Sequence, residues 1–188
     1  ISGGAVTGKL EFAFSTGGPA VLSTQPYQGA QAIDEEQVFI LRLNGPAHEP
    51  SVTGNAWCVV EGIGDRVPVV VLGQKERVEL FKAMKREKEG GDPNLLPLRC
   101  ARRLPAGANV TLVWGRGITT AGAIAGERVA TTSDQPLKYK VRPEFKLTFT
   151  CPRDNASAPC SPTQAMSLDF SAGVPRALAE GIRVKAPD

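Results

Sequence analysis

The chain carries a single histidine, His48, among 188 residues, and that scarcity leaves no histidine-based catalytic triad easy to build. Nucleophilic catalysis requires a nucleophile, a base and a group that orients the base. His48 lies in a Pro/Glu-rich turn and reads as a solvated loop residue. No G-x-S-x-G, H-E-x-x-H or EF-hand pattern is present. Zinc needs cysteines paired at C-x₂₋₄-C spacing or histidine partners, and the four cysteines are too far apart for either. The stretch Gly115-Arg-Gly117-Ile-Thr-Thr120 superficially suggests a phosphate loop, but Thr120 stands where the third glycine would be and no Gly-Lys-Ser/Thr is present. It reads as a flexible hairpin loop running to Gly126. No cofactor is expected.

Long apolar runs are missing as well. No segment reaches the roughly 18 apolar residues of a membrane span, and no charged-then-apolar leader opens the chain. Ile1-Ser-Gly-Gly-Ala suits a processed or engineered terminus, so export stays open. Aromatics make up only 6% and are not interleaved with basic residues, and Lys+Arg exceed Asp+Glu by 22 to 19. A net charge of +3 so distributed argues against nucleic-acid binding. The densest basic cluster, Lys82-Ala-Met-Lys85-Arg86-Glu-Lys88, fits a solvated helix face.

What is present is a β-rich globular pattern. At 41% hydrophobic and 22% charged, the chain can bury a real core and fill one large domain plus part of another. The organising stretch is 33–62. It holds an acidic turn, Asp34-Glu35-Glu36, then the apolar run Val38-Phe-Ile-Leu-Arg-Leu43, the break Asn44-Gly-Pro46, and a second strand with Trp57 and Cys58. Val38–Leu43 reads as a central strand buried on most of both faces. The adjacent acids read as a charged approach to it, with a weak divalent-cation site as the competing idea.

Alternation marks the other strands: Gly8–Ser15, resumed at Ala20–Ser23; Val67–Leu72; Leu96–Arg102; Ala108–Trp114, with Val110, Leu112 and Trp114 on one face; and Leu137–Val141, with Tyr139 and Val141 inward. Pro68 lacks a donor, which places its strand at an edge or starts it at Val69. From Gln74 to Lys88 the period changes: Val78, Phe81 and Met84 recur every three residues, Leu80 and Met84 every four, giving one inserted helix over 74–88. Toward the C-terminus, Phe145, Leu147, Phe149 and Cys151 form one stripe and Met166, Leu168 and Phe170 another, with Ile182-Arg-Val184 as a short final strand.

Cys58 and Cys100 each fall in an expected strand, and Cys151 and Cys160 bracket a turn-rich loop. Two disulfides, Cys58–Cys100 and Cys151–Cys160, are expected, and with them an oxidising compartment. Four buried free thiols in a reducing compartment is the alternative.

The tail also echoes the head. Phe145-Lys-Leu-Thr-Phe149-Thr parallels Leu10-Glu-Phe12-Ala-Phe14-Ser. Met166-Ser-Leu168-Asp-Phe170-Ser-Ala-Gly-Val174 parallels Phe39-Ile-Leu41-Arg-Leu43-Asn-Gly-Pro-Ala47, and Gly181-Ile-Arg-Val184 stands in the place of Ala56-Trp-Cys-Val59. Repetition of one supersecondary unit implies a tandem array. The expected organisation is a β-sandwich over 8–142 and the start of a second, truncated module over 143–188, within a longer multi-domain protein.

Phe14-Ser-Thr-Gly-Gly-Pro-Ala-Val21, Ile33-Asp-Glu-Glu-Gln37, Cys58-Val-Val-Glu-Gly-Ile63, Arg102-Arg-Leu-Pro-Ala-Gly107 and the Phe149-x-Cys151…Cys160 unit together resemble the N-terminal region of bacterial alpha-2-macroglobulin-like proteins. The resemblance covers most of residues 10 to 184. It implies an all-β, immunoglobulin-like (macroglobulin-type) sandwich, a periplasmic or membrane-anchored location, and a part in trapping or inhibiting proteases, with other domains of the parent chain and trapped proteases as partners. The family's reactive Cys-x-Glu-Gln thioester is absent from all four cysteines here, and no bait region can be located. The expected function is therefore a non-enzymatic scaffold segment. The alternative is a cell-surface immunoglobulin-like adhesion or ligand-binding module that carries its function in the loop 115–126.

Overall fold

The computed structural model describes residues 17–122, 128–161 and 163–183. The expected strand at Gly8–Ser15, and with it one half of the head-to-tail echo, lies outside the described residues. The chain divides into two compact units that meet in sequence at Arg142 and Pro143.

Unit 1 is an antiparallel β-sandwich with few helices. Its strands are β1 (Val21–Gln25), β2 (Val38–Leu43), β3 (Ala56–Val60), β4 (Val67–Val71), β5 (Leu95–Cys100), β6 (Asn109–Trp114) and β7 (Gln135–Lys140). They run in the order β1-β2-β5-β4-β3-β6-β7. β4 is the corner between the two halves: Val67 and Pro68 pair with β3, and Val69 to Val71 pair with β5. The edge position expected from Pro68 is therefore wrong. The N–H and C=O of one strand residue point to the same side, and the Pro68 carbonyl accepts from Ala101 N–H on the β5 side at 2.8 Å. Its missing donor would point the same way, which is why pairing with β5 begins only at Val69.

The open side is closed by backbone bonds from Ile33 and Ala30 to β7 and its end. Ile33 N–H donates to Lys140 O at 3.0 Å, Arg142 N–H to Ile33 O at 2.9 Å and Lys140 N–H to Ala30 O at 2.9 Å. The Gln135 amide meets both backbone groups of Val21, and the Tyr139 hydroxyl bonds Thr24 Oγ1 at 2.9 Å. The sandwich is thus nearly a barrel, with few edge groups left exposed.

Alternation sends Phe39, Leu41 and Leu43 inward, and the expected stripe Val110, Leu112 and Trp114 meets them in the core. The Phe39 and Tyr139 rings lie 4.7 Å apart between centroids. Burying an indole leaves its N–H needing a partner. Trp114 Nε1–H finds one in Pro19 O at 2.7 Å.

The outer face of β2 and β5 is capped by α2 (Gln74–Ala83), whose Phe81 buries against Ile40 and Leu95. β2 is therefore buried on most of both faces, as its composition implied, with Arg42 left exposed. The helix stops at Ala83, short of the expected Lys88. Lys85 takes φ 56°, and Glu87–Gly91 tightens into a 3₁₀ turn. Arg77 draws that turn back over the helix, donating from Nε to Gly90 O at 2.7 Å and from Nη2 to Asp92 O at 2.5 Å. Val78, expected on the buried stripe, is exposed. A helix the sequence did not announce, α1 (Glu49–Asn55), precedes β3 and buries Val52.

In unit 2, β8 (Leu147–Thr150) pairs antiparallel with β9 (Ser167–Phe170), and Cys151–Cys160 closes part of the loop between them. The two apolar stripes exist but are only partly covered: Phe145 is 55% exposed, Leu147 49%, Phe149 40% and Met166 47%, while Leu168 and Phe170 are half-buried. Phe145 and Phe170 stack at 6.2 Å between centroids. Residues 176–180 form a short helix, α3 (Arg176–Glu180), and Ile182 and Arg183 are not in a strand, which corrects that expectation. Val184 lies outside the described residues.

Candidate functional site

The alternation of β3 builds one of several surface clefts of unit 1. Ala56, Cys58 and Val60 face the core, so Trp57 must face out. Across the sheet it stands in register with Pro68 of β4 and Val113 of β6. Neighbours on one sheet face pack together, and Val113 is buried although it points outward.

The cleft has a volume of about 370 Å³ and is lined by Thr53 to Trp57, Arg66, Pro68, Arg116 and Asp134. The Arg66 guanidinium lies over the Trp57 ring, 4.0 Å from its centroid. A glycine sets how closely the chain after β6 approaches Trp57. A Cβ on Gly115 would overlap the Asn55 carbonyl oxygen and come within 2.7 Å of Trp57 Cζ3. Gly115 N–H donates to that same Asn55 oxygen at 2.9 Å, locking the end of α1 to the start of the loop. Asp134 Oδ1 accepts from Arg116 N–H at 2.9 Å, so its carboxylate is committed to the backbone. Neither Arg66 nor Arg116 has an ion-pair partner among the described residues. Chemically this is a cationic, aromatic-floored surface.

The acidic stretch before β2 is organised differently. Glu35 bonds the Arg103 guanidinium, and Asp34 pairs with Arg142 at 3.1 Å. The hydrogen bond from Arg103, more than any other influence, holds the Glu35 carboxyl below its ordinary value of 4.5. These carboxylates serve arginines that tie the chain before β2 to the segments after β5 and β7. Among the described residues no group of three or more His, Cys, Asp and Glu gathers to hold a metal.

The cysteines pair as Cys58–Cys100, with Cα atoms 6.0 Å apart, and Cys151–Cys160, at 5.5 Å. Cys58 and Cys100 are both buried, and their bridge joins β3 to β5 across β4 inside the core. With all four cysteines bridged, no thiol remains in this chain for a thioester or a nucleophile. His48 is half-buried at the N-cap of α1, and its backbone N–H donates to Thr119 O at 2.9 Å.

The described part of the loop 115–126 is tied down: Gly117 N–H bonds Thr131 O, Thr120 N–H bonds Val129 O and Ala121 N–H bonds Pro46 O. Residues 123–127 lie outside the described residues. Sequence alone singled out neither Trp57 as a cleft residue nor the arginines beside it. Trp57 was findable, because a tryptophan one step from an inward cysteine must face out. Arg66, Arg116 and Asp134 come together only through tertiary folding.

No protein-family model matches the sequence, and no curated protein does. Among solved structures, similarity is found to CopC from Methylosinus trichosporium OB3b, at 16% identity and a TM-score of 0.37, covering 66% of this chain and 94% of that one. The N-terminal part of the bacterial S-layer protein SbsC gives 14% identity and a TM-score of 0.36, covering 70% of this chain and 26% of that one. SbsC domains 1-6 give 15% identity and a TM-score of 0.36, covering 78% of this chain and 19% of that one. At TM-scores below 0.5 these likenesses say nothing of what this chain binds or builds. The two disulfides do mark an oxidising, extracytoplasmic setting. Among the described residues no helix is long and apolar enough to cross a membrane.

Proposed function

We propose that this chain is a non-enzymatic scaffold segment of a large exported protein built from repeated β-sandwich modules, of the alpha-2-macroglobulin-like protease-inhibitor kind. The carrying observation is the order of elements in unit 2. In unit 1, β2 pairs antiparallel with the strand before it, and five residues, 44–48, lead to α1. In unit 2, β9 pairs antiparallel with the strand before it, and five residues, 171–175, lead to α3. The sequence echo puts Met166, Leu168 and Phe170 in the places of Phe39, Leu41 and Leu43. Those three positions are buried in unit 1, whereas Met166 is exposed and Leu168 and Phe170 are half-buried. An apolar stripe of this kind supports a module whose remaining strands come from elsewhere in a larger assembly. The residue resemblance supplies the kind of parent, and the disulfides support periplasmic or membrane-anchored exposure of it.

Fractionating the native organism and probing with an antibody against this chain tests the reading. A periplasmic or membrane-bound species far larger than 19.9 kDa supports it, and purified parent should then retain a protease in a pull-down that this chain alone does not retain. A species of the chain's own size would sink it. The second reading, a surface ligand-binding module, is favoured by the cleft at Trp57, where Arg116 belongs to the loop that reading relied on.

A further inference from the structure

We infer that the Trp57 cleft is a recognition site for an acidic peptide segment, with a glutamate side chain seated between Arg66 and Arg116. An arginine stacked on an indole keeps its N–H groups in the plane of the guanidinium, directed away from the ring and free to grip a carboxylate with two parallel bonds. The Arg66 guanidinium carbon lies over Trp57, 4.0 Å from the ring centroid. Arg42, Arg86, Arg103, Arg142 and Arg176 are each engaged by a carboxylate of this chain. Arg66 and Arg116 line one cleft with no such partner among the described residues, although Asp134 stands in the same cleft. Asp134 accepts the Arg116 backbone N–H and keeps its charge, but two guanidiniums against one carboxylate leave the cleft lining net positive.

Its floor decides between anions. Trp57 and Pro68 offer an apolar surface beside the cationic rim, suited to the methylene stem of a glutamate as well as its head. About 370 Å³ is also far more room than one inorganic anion fills. The walls are preformed: Gly115 permits the close approach of loop and ring, so little ordering is required on binding.

The inference does not depend on the macroglobulin reading. It is tested on the full chain by NMR and calorimetric titration with hexaglutamate, hexaglutamine, succinate and inorganic phosphate. Hexaglutamate should shift the Trp57 indole N–H and leave that of Trp114 in place, and bind at least about tenfold tighter than hexaglutamine. R66Q and R116Q should each weaken it about tenfold, while K75Q, which removes a charge from α2, should change affinity less than about twofold. Equal affinity for the two peptides overturns the proposal, as does retained binding in the R66Q/R116Q double variant. Equal weakening by K75Q would reduce the effect to diffuse charge attraction and likewise overturn it. Succinate or phosphate binding as tightly as hexaglutamate overturns the peptide assignment.

Discussion

Gly115 shows how much one absent methyl group can decide. The Cβ of any other residue there would overlap the Asn55 carbonyl oxygen and crowd the Trp57 ring, and the nearest obstacle is backbone, which cannot swing away. Overpacking of this kind costs about 1–3 kcal/mol. G115A should lose that much stability in a denaturant titration with unchanged m-value, and the half-buried Trp57 should shift its emission. A variant as stable as the parent would mean that β3 and the loop can slide apart.

A second residue-scale expectation concerns pH. Glu35 has its folded pKa lowered, so the interaction stabilises the fold fully above its ordinary value of 4.5 and is lost as pH falls through the lower folded value. An NMR titration should therefore find the Glu35 carboxyl below 4.5, and R103Q should bring it back toward that figure. High salt should shrink the difference, because part of the attraction is screened.

At the scale of elements, alternation and punctuation made the sequence legible. Val38–Leu43 was readable because a run of six with five apolar residues, closed by Asn-Gly-Pro, has few other solutions, and β6 and β7 because their inward residues recur every second position. α1 was not readable. Its sequence, Glu-Pro-Ser-Val-Thr-Gly-Asn, is poor in helix formers, and it is held by outside partners such as Thr119 O on His48 N–H. The overlong α2 failed for a related reason, since its end is set by Arg77 reaching carbonyls beyond Phe81. The strand at Ile182 failed because β3, whose place it takes, is held between β4 and β6, whereas among the described residues unit 2 offers only β8 and β9, which pair with each other.

The pairing of the cysteines was readable from their strand and loop positions, and it carries an element-scale prediction. The Cys58–Cys100 bridge has a sequence separation of 42, for which the chain-entropy model gives about 4 kcal/mol. Removing it as C58A/C100A should lower unfolding free energy by that order. The separation of 9 at Cys151–Cys160 predicts a smaller effect on unit 2, about 2.6 kcal/mol. A loss below about 1 kcal/mol for the first pair would show that the β3–β4–β5 corner is already fixed by packing in the unfolded ensemble.

At the scale of the whole molecule, the two units differ in how much apolar surface each removes from water. Unit 1 closes on itself: its inward rows are buried, the β4 corner joins its halves, and residues 30–33 seal β7. Among its described residues unit 2 has two four-residue strands, one disulfide and a short helix, with every residue of β8 exposed. A lone two-stranded hairpin is at best marginally stable in water. Amide hydrogen exchange on the intact chain should therefore separate them. Amides in the middle of β2, β5 and β6 should exchange only through global unfolding, and those of β8 and β9 about a thousandfold faster or more, through local opening. Comparable protection in β8 and β9 would mean that the apolar stripe of Phe145, Leu147 and Phe149 is covered in solution, by a second copy if protection rises with concentration. Fast exchange in this chain that becomes slow in a larger native species would identify the stripe as the face on which the rest of an assembly is laid.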